Sequence, residues 1–188
     1  MPYIPVEQHL PGITGLLEYR TETAGPIREL TQILLRGPSS LTFGERELIA
    51  ALVSFRNECR FCTEAHTKVA DILLAENRTT QNIKSDIYSA PLSDKMKALL
   101  SIAAHVQVSG KKVTSEDINQ AKAAGATDLE IHDTVLIAAL FCLYNRYVDG
   151  LATVTPENPQ FYKNLAERIS KGYLRNPQGY DHLKTQPL

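Results

Sequence analysis

Two thiols, an imidazole and a carboxylate fall within twenty residues of one another in the run Glu47-Leu-Ile-Ala-Ala-Leu-Val-Ser-Phe-Arg-Asn-Glu-Cys59-Arg-Phe-Cys62-Thr-Glu-Ala-His66. Cysteine acts as a nucleophile only as thiolate, so its free pKa of about 8.5 must be lowered. If Cys59 to His66 are helical, offsets of 0, 3 and 7 put both cysteines and the histidine on one stripe, with the cysteines near the positive end of the helix dipole. His66 then lies one turn beyond Cys62, in reach to take or relay its proton. Glu47 can orient the imidazole or hold a water, as the third member of nucleophilic sites does. A thiolate that attacks a peroxide becomes a sulfenic acid, and a nearby thiol condenses with it to a disulfide that a reductant must reopen. Two further readings stay open. Cys59, Cys62, His66 and Glu47 make a four-ligand set for zinc, although structural zinc draws on two separated knuckles and the sequence holds no second Cys/His pair. The cysteines also fit a purely structural pair.

These residues need helices to position them. Pro2, Pro5, Pro11, Gly12, Gly15 and Gly25 punctuate the first two dozen residues, which predicts an irregular arm over 1–25. Pro26 opens a helix carrying Ile27, Leu30, Ile33 and Leu34, and Gly37-Pro38 ends it. Thr42-Phe-Gly-Glu45 has the form of a capping box for a helix through Leu48, Ile49, Leu52 and Phe55. Twelve residues separate Glu47 from Cys59; on a continuous helix the carboxylate would sit roughly 120° around and about 18 Å along the axis from the thiols. The helix must therefore break, with Asn57 as N-cap of a second helix that runs to Ala75 and folds back on the first. Further helices are predicted over Gln81–Tyr88, from Ser93 to Gly110, and over Ser115–Ala124. Thr127-Asp-Leu-Glu130 caps a long apolar segment from Ile131 through Tyr147, expected as the central buried helix. Pro156 and Pro159 interrupt, a last helix covers Phe161 to Ile169 and ends at Gly172, and the tail over 173–188 reads as an extended arm. No alternating strand pattern occurs, so the fold class is all-α, a multi-helix bundle in one domain over 1–188.

Composition narrows the function classes. The 188 residues are 43% hydrophobic and 22% charged with a formal net charge of -1, a globular balance that points to neither nucleic acid nor membrane as partner. The longest apolar run, Val135 to Tyr144, is about half of what a bilayer requires. The start lacks the basic and apolar regions of an export signal, and three cysteines do not make a secreted disulfide framework, so the expected compartment is a reducing cytoplasm. Cys142 reads as a small core residue. His9, His105, His132 and His182 stand alone, and Glu58 and Glu64 read as solvated. Leu48-Ile-Ala-Ala-Leu52 recurs as Leu136-Ile-Ala-Ala-Leu140, and in that register Asn57 falls on Asn145. This is either chance or an internal duplication whose second copy kept the packing and lost the reactive groups.

The spacing Glu47-x11-Cys59-x2-Cys62-x3-His66 resembles the signature of the alkylhydroperoxidase D-like proteins of the carboxymuconolactone decarboxylase superfamily. Ser54-x-x-Asn57-x-Cys59-x-Phe61-Cys62 and Tyr144-Asn-Arg-Tyr-Val-Asp-Gly-Leu151 further resemble its peroxidase-related subgroup, and the likeness extends over Pro26 to Leu151. The resemblance implies an all-helical homo-oligomer (dimer, trimer or hexamer) that reduces organic hydroperoxides or hydrogen peroxide without a cofactor or metal, using a thiol or disulfide reductant. It implies that Cys62 forms the sulfenic acid, that Cys59 is proton donor and resolving partner, and that Glu47 and His66 relay protons. The dipole argument alone favours Cys59, nearer the helix start. One departure stands out: well-known peroxidase members carry a second histidine between the cysteines, where this chain has Arg60-Phe61. Decarboxylase activity is disfavoured, because that branch does not use a Cys-x-x-Cys. A thiol–disulfide reductase that recycles a partner peroxidase is the alternative, and a zinc-binding or structural oligomeric module the second.

Overall fold

The structure, a computed structural model, describes residues 1–185 apart from the side chains of residues 182 and 185. The His182 side chain and the last three residues of the expected tail lie outside the described residues. The chain is all-α, with no strand among the described residues: α1 (Ile13–Tyr19), α2 (Thr21–Arg36), α3 (Phe43–Arg56), α4 (Arg60–Leu74), α5 (Arg78–Ser85), α6 (Asp94–Val108), α7 (Ser115–Ala123), α8 (Asp128–Gly150) and α9 (Pro159–Ile169), with short 3₁₀ turns at Ile87–Ser89, Gly110–Lys112 and Pro177–Thr185. No helix among the described residues is long and apolar enough to cross a membrane.

Side chains that satisfy the free N–H groups of a first helical turn set where several helices begin. Thr42 with Glu45 and Thr127 with Glu130 form the two capping boxes expected for α3 and α8, and Thr114 with Asp117 forms a third at α7. Ser93 caps α6 and Asn158 caps α9, where Pro159 takes the first position. The loop from α2 to α3 is closed by Arg46, which is almost fully buried and donates to the carbonyls of Leu34, Gly37 and Thr42.

The most buried helix is α3, not α8. Leu48 through Val53 are inaccessible to solvent, because α4, α6 and α8 pack around them. Helix α8 leaves Ala139 and Leu143 exposed and Val135 and Leu136 half-buried, so its apolar middle is covered on one side only. The main core lies among α2, α3, α6 and α8. A second apolar cluster forms where α4 meets α9, and Cys59, Phe61 and Cys62 belong to it.

The break between α3 and α4 occurs where the twelve-residue step requires it, by another device. Asn57 is the C-cap of α3, not the N-cap of α4; Cys59 is that N-cap. Glu58 takes a left-handed φ of 58°, and its N–H bonds Phe55 O while Cys59 N–H bonds Ser54 O, the two bonds of a Schellman closure. A non-glycine in that conformation costs about 1–2 kcal/mol. The Asn57 amide instead donates to Asn145 on α8 and accepts from Gln107 on α6, tying the turn to both helices. Asn145 marks no second break, since α8 runs through it without interruption.

The terminal segments are more ordered than their prolines and glycines suggest. The expected irregular arm over 1–25 contains α1 and the first turn of α2, which begins five residues before Pro26 and encloses it. Gly15 sits inside α1 where its missing Cβ lets the chain lie against Leu10 O, so the glycine serves packing and does not end the helix. The expected extended tail instead carries the last 3₁₀ turn, with Tyr180 and Leu183 buried in the second cluster. At Gly12 φ is 59°, and a Cβ there would fall 2.2 Å from the Phe61 ring. Gly12→Ala is therefore expected to displace Phe61 and cost about 1–3 kcal/mol. Urea unfolding checks this; an unchanged midpoint would show that Gly12 does not set the packing against α4.

Candidate active site

Glu47 sits within the most buried helix with no exposed surface, where an unpaired carboxylate would be very costly. Three segments supply partners. Arg36, at the end of α2, donates to Glu47 Oε1 at 2.6 Å; Tyr173, after α9, donates its hydroxyl to the same oxygen; and His66 of α4 meets Oε2 through Nδ1 at 2.8 Å. Because an ionised carboxylate only accepts, Nδ1 carries the proton and Nε2 is left for exchange. Burial acts to raise the Glu47 pKa, but His66, Arg36 and Tyr173 outweigh it and hold the carboxyl below its ordinary value. Burial and the neighbouring carboxylate push the Tyr173 phenol well up, which keeps it a donor. Arg36 also donates to the carbonyls of Ile169 and Ser170, at the negative end of α9, and so fixes α9 relative to α3.

His66 is held on both faces of this network. Its ring meets Phe141 of α8 edge-on at 4.5 Å and stacks on Tyr173 at 6.3 Å with planes 13° apart. Cys59 and Cys62 approach to 3.4 Å as free thiols, both buried. They occupy the N-cap and the third position of α4. The favourable helix dipole does not dominate there. The bond with Cys59 and burial push the Cys62 thiol well above its ordinary pKa, and a hydrogen bond from the Asn145 amide works against them. Asp149, one turn on from Asn145, has its carboxyl raised by burial and lowered by a hydrogen bond with Cys59.

Cys62 and His66 both line a largely enclosed cavity of about 60 Å³ between α1, α4 and α9, whereas Cys59 lies behind it. The rest of its wall is mostly apolar or aromatic, including Phe61, Leu17, Tyr144 and Leu165, with Arg28 and Arg168 as its charged members. Phe61, which stands where a second histidine would fall, packs edge-on against Tyr162 at 6.0 Å and near Phe161 at 6.2 Å.

The four residues singled out by spacing thus converge, with Glu47 joined to His66 across the helix break. Both Glu47 oxygens are engaged by Arg36, Tyr173 and His66, and among the described residues no cluster of three or more His, Cys, Asp or Glu is arranged to hold a metal ion. Of the other histidines, His105 pairs with Asp117 at 3.1 Å and His132 with Asp133 at 2.9 Å. Glu58 and Glu64 are exposed as expected, but Cys142 is only half-buried and lies 3.5 Å from the Asn57 amide. Arg36 and Tyr173 belong to the site without any sequence motif to announce them, whereas Asn145 and Asp149 lie in the Tyr144–Leu151 segment that carried part of the resemblance. The available signal was indirect: an acid beside Leu-Ile-Ala-Ala-Leu inside a buried helix demands a cation.

No family model matches the chain, and no curated protein matches it. Solved structures do. The "alkylhydroperoxidase AhpD core: uncharacterized peroxidase-related protein" of Ralstonia eutropha JMP134 superposes with a TM-score of 0.73 at 22% identity, over 83% of this chain and 80% of that one. The chain has the AhpD-core fold. An uncharacterized peroxidase-related protein of Silicibacter sp. TM1040 gives a TM-score of 0.73 at 23% identity, over 81% of this chain and 78% of that one. At these identities the AhpD-like likeness is one of fold, and the chemistry rests on the residues just described.

Two outcomes follow from this arrangement of residues. Glu47→Gln leaves Arg36 buried without its counter-charge and is expected to cost about 3–5 kcal/mol. Because the folded Glu47 pKa is depressed, the stability that this group contributes is present above the ordinary value near 4.3 and is lost as pH falls through the folded value. Urea titrations below about pH 5 should show a steeper loss in wild type than in Glu47→Gln. Matching slopes would contradict the assignment. Asn145→Ala removes a buried amide that donates to Ser54 Oγ at 3.1 Å and accepts from Asn57 at 2.8 Å, so urea unfolding should show a loss of about 1–3 kcal/mol; an unchanged midpoint would count against its tie to the turn between α3 and α4.

Proposed function

We infer that the protein is a thiol peroxidase that reduces organic hydroperoxides or hydrogen peroxide through Cys62 and Cys59. The observation that carries this reading is the 3.4 Å approach of two free thiols, one lining a largely enclosed cavity that is also lined by an imidazole tethered to a buried carboxylate. The two similar solved structures, both of proteins called peroxidase-related, agree with it. The Cys62 thiolate attacks the terminal oxygen of R–O–O–H; the O–O bond breaks, sulfur is oxidised to Cys62–SOH, and the departing alkoxide takes a proton to leave as R–OH. The Cys59 thiolate then attacks the Cys62 sulfur, a disulfide forms, and the hydroxyl leaves with a proton as water. A dithiol reductant returns both sulfurs to thiols by exchange.

Which sulfur meets peroxide follows from access. Cys62 lines the cavity and Cys59 does not, so Cys62 is the attacking residue and Cys59 the resolving one. The raised Cys62 pKa means that little thiolate stands ready, and a base must take the proton as substrate enters. His66 is that base in this reading, through Nε2, with Glu47 stabilising the imidazolium that forms. Arg36 and Tyr173 are positioning residues, acting through Glu47. Exchange with a bulky protein disulfide is disfavoured, because both sulfurs are nearly or wholly inaccessible while a small peroxide fits the cavity. The same access favours a small dithiol as reductant, in a reducing compartment, with no cofactor.

Dithiothreitol-dependent consumption of hydrogen peroxide tests the assignment. Cys62→Ser is expected to lose at least about 10³-fold in turnover. His66→Asn is expected to lose about 10²–10⁴-fold. Cys59→Ser should retain the first oxidation and accumulate a sulfenic acid on Cys62 that dimedone captures. A Cys62→Ser protein as active as wild type would overturn the reading.

A further inference from the structure

The wall of the cavity opposite the thiols carries more positive charge than the peroxide chemistry requires. Arg28 of α2 is buried, donates to Tyr180 Oη at 3.1 Å and pairs with Glu18 at 2.7 Å, yet its Nε–H has no hydrogen-bond partner among the described residues. Glu18 also serves Arg175 at 2.8 Å, so one carboxylate answers two guanidiniums. Arg168 of α9 lies 4.7 Å over the Tyr180 ring and forms no ion pair among the described residues. Tyr180 thus stands between two cavity-lining arginines, with three guanidiniums set against Glu18 alone. Arg168 also borders an open cleft of about 560 Å³ in which Lys171 and Arg175 add positive charge against Glu167. Excess positive charge at an otherwise apolar wall is matched by an acid group on an apolar body.

We propose that this cavity selects short-chain hydroperoxides bearing a carboxylate, held by Arg28 and Arg168 while the apolar chain runs past Leu17 and Leu165 toward Cys62. This rests on the thiol-peroxidase reading for its reaction, and on the two arginines for its selectivity. The step is unchanged: the Cys62 sulfur is oxidised, the O–O bond breaks, and the hydroxy acid leaves with a proton taken up at its new hydroxyl. A largely enclosed cavity of about 60 Å³ admits only a small ligand, which sets the chain as short.

Binding without turnover tests the selectivity apart from the redox chemistry. Calorimetric titration of the reduced protein with pentanoate and with methyl pentanoate should give a dissociation constant about tenfold lower for the acid. Pentanoate should also slow modification of Cys62 by the small thiol reagent methyl methanethiosulfonate while leaving Cys142 unaffected, which locates it. Arg168→Gln should cut the preference severalfold, since Arg28 alone then faces the carboxylate, and the ester's affinity read beside it reports whether the cavity is intact. Equal affinity for acid and ester in wild type, no binding of either, unprotected Cys62, or a preference undiminished in Arg168→Gln would each overturn the proposal. A preference for pentanoate in a protein that consumes no hydroperoxide would sustain the anion site and reject the peroxidase reading alone.

Discussion

A single carboxylate in the middle of the most buried helix constrains the whole arrangement. Glu47 cannot stay ionised in an apolar interior unless its oxygens are filled by donors, at least one of them cationic. Those donors come from the end of α2, from α4, and from the segment after α9, so meeting the demand of one side chain fixes three distant parts of the chain around α3. Arg36 extends the constraint, because the same guanidinium that neutralises Glu47 also binds the last carbonyls of α9. Placing His66 on the cavity that Cys62 lines is thus a consequence of how the core is neutralised.

The thiols inherit a tension from that packing. Their position at the start of α4 offers them the helix dipole, while the second apolar cluster and the neighbouring sulfur push the Cys62 proton back on. The balance favours a thiol at rest and makes deprotonation part of the reaction. Such a site is guarded: bulky reagents do not reach the sulfurs, and the cavity determines what does. The left-handed Glu58 fits the same picture, since its strained turn brings the first thiol to the N-cap of α4.

Much of this was legible in residues whose meaning is local. The Thr42 and Thr127 capping boxes gave correct helix starts, and the mismatch between a twelve-residue step and a helical repeat required a fold-back that the Glu47–His66 bond now spans. What escaped were partners whose sequence positions carry no local pattern. Arg36 reads as an ordinary basic residue at a helix end, and Tyr173 as the start of a loose tail, until tertiary structure brings both to Glu47. Helix order by burial also escaped, because α3 and α8 share the same five apolar residues and only packing decides which is enclosed. The prolines and glycines of the termini misled in the other direction: Pro26 and Gly15 were accommodated inside helices held by their contacts.

The most direct test of the account is the intact mass and peptide map of the reduced protein before and after one equivalent of hydroperoxide. A functioning pair predicts the loss of two hydrogens, confined to a peptide that links Cys59 and Cys62, with Cys142 unchanged. An unchanged mass, or oxygen added at Cys142 with Cys59 and Cys62 still titrating as thiols, would contradict it.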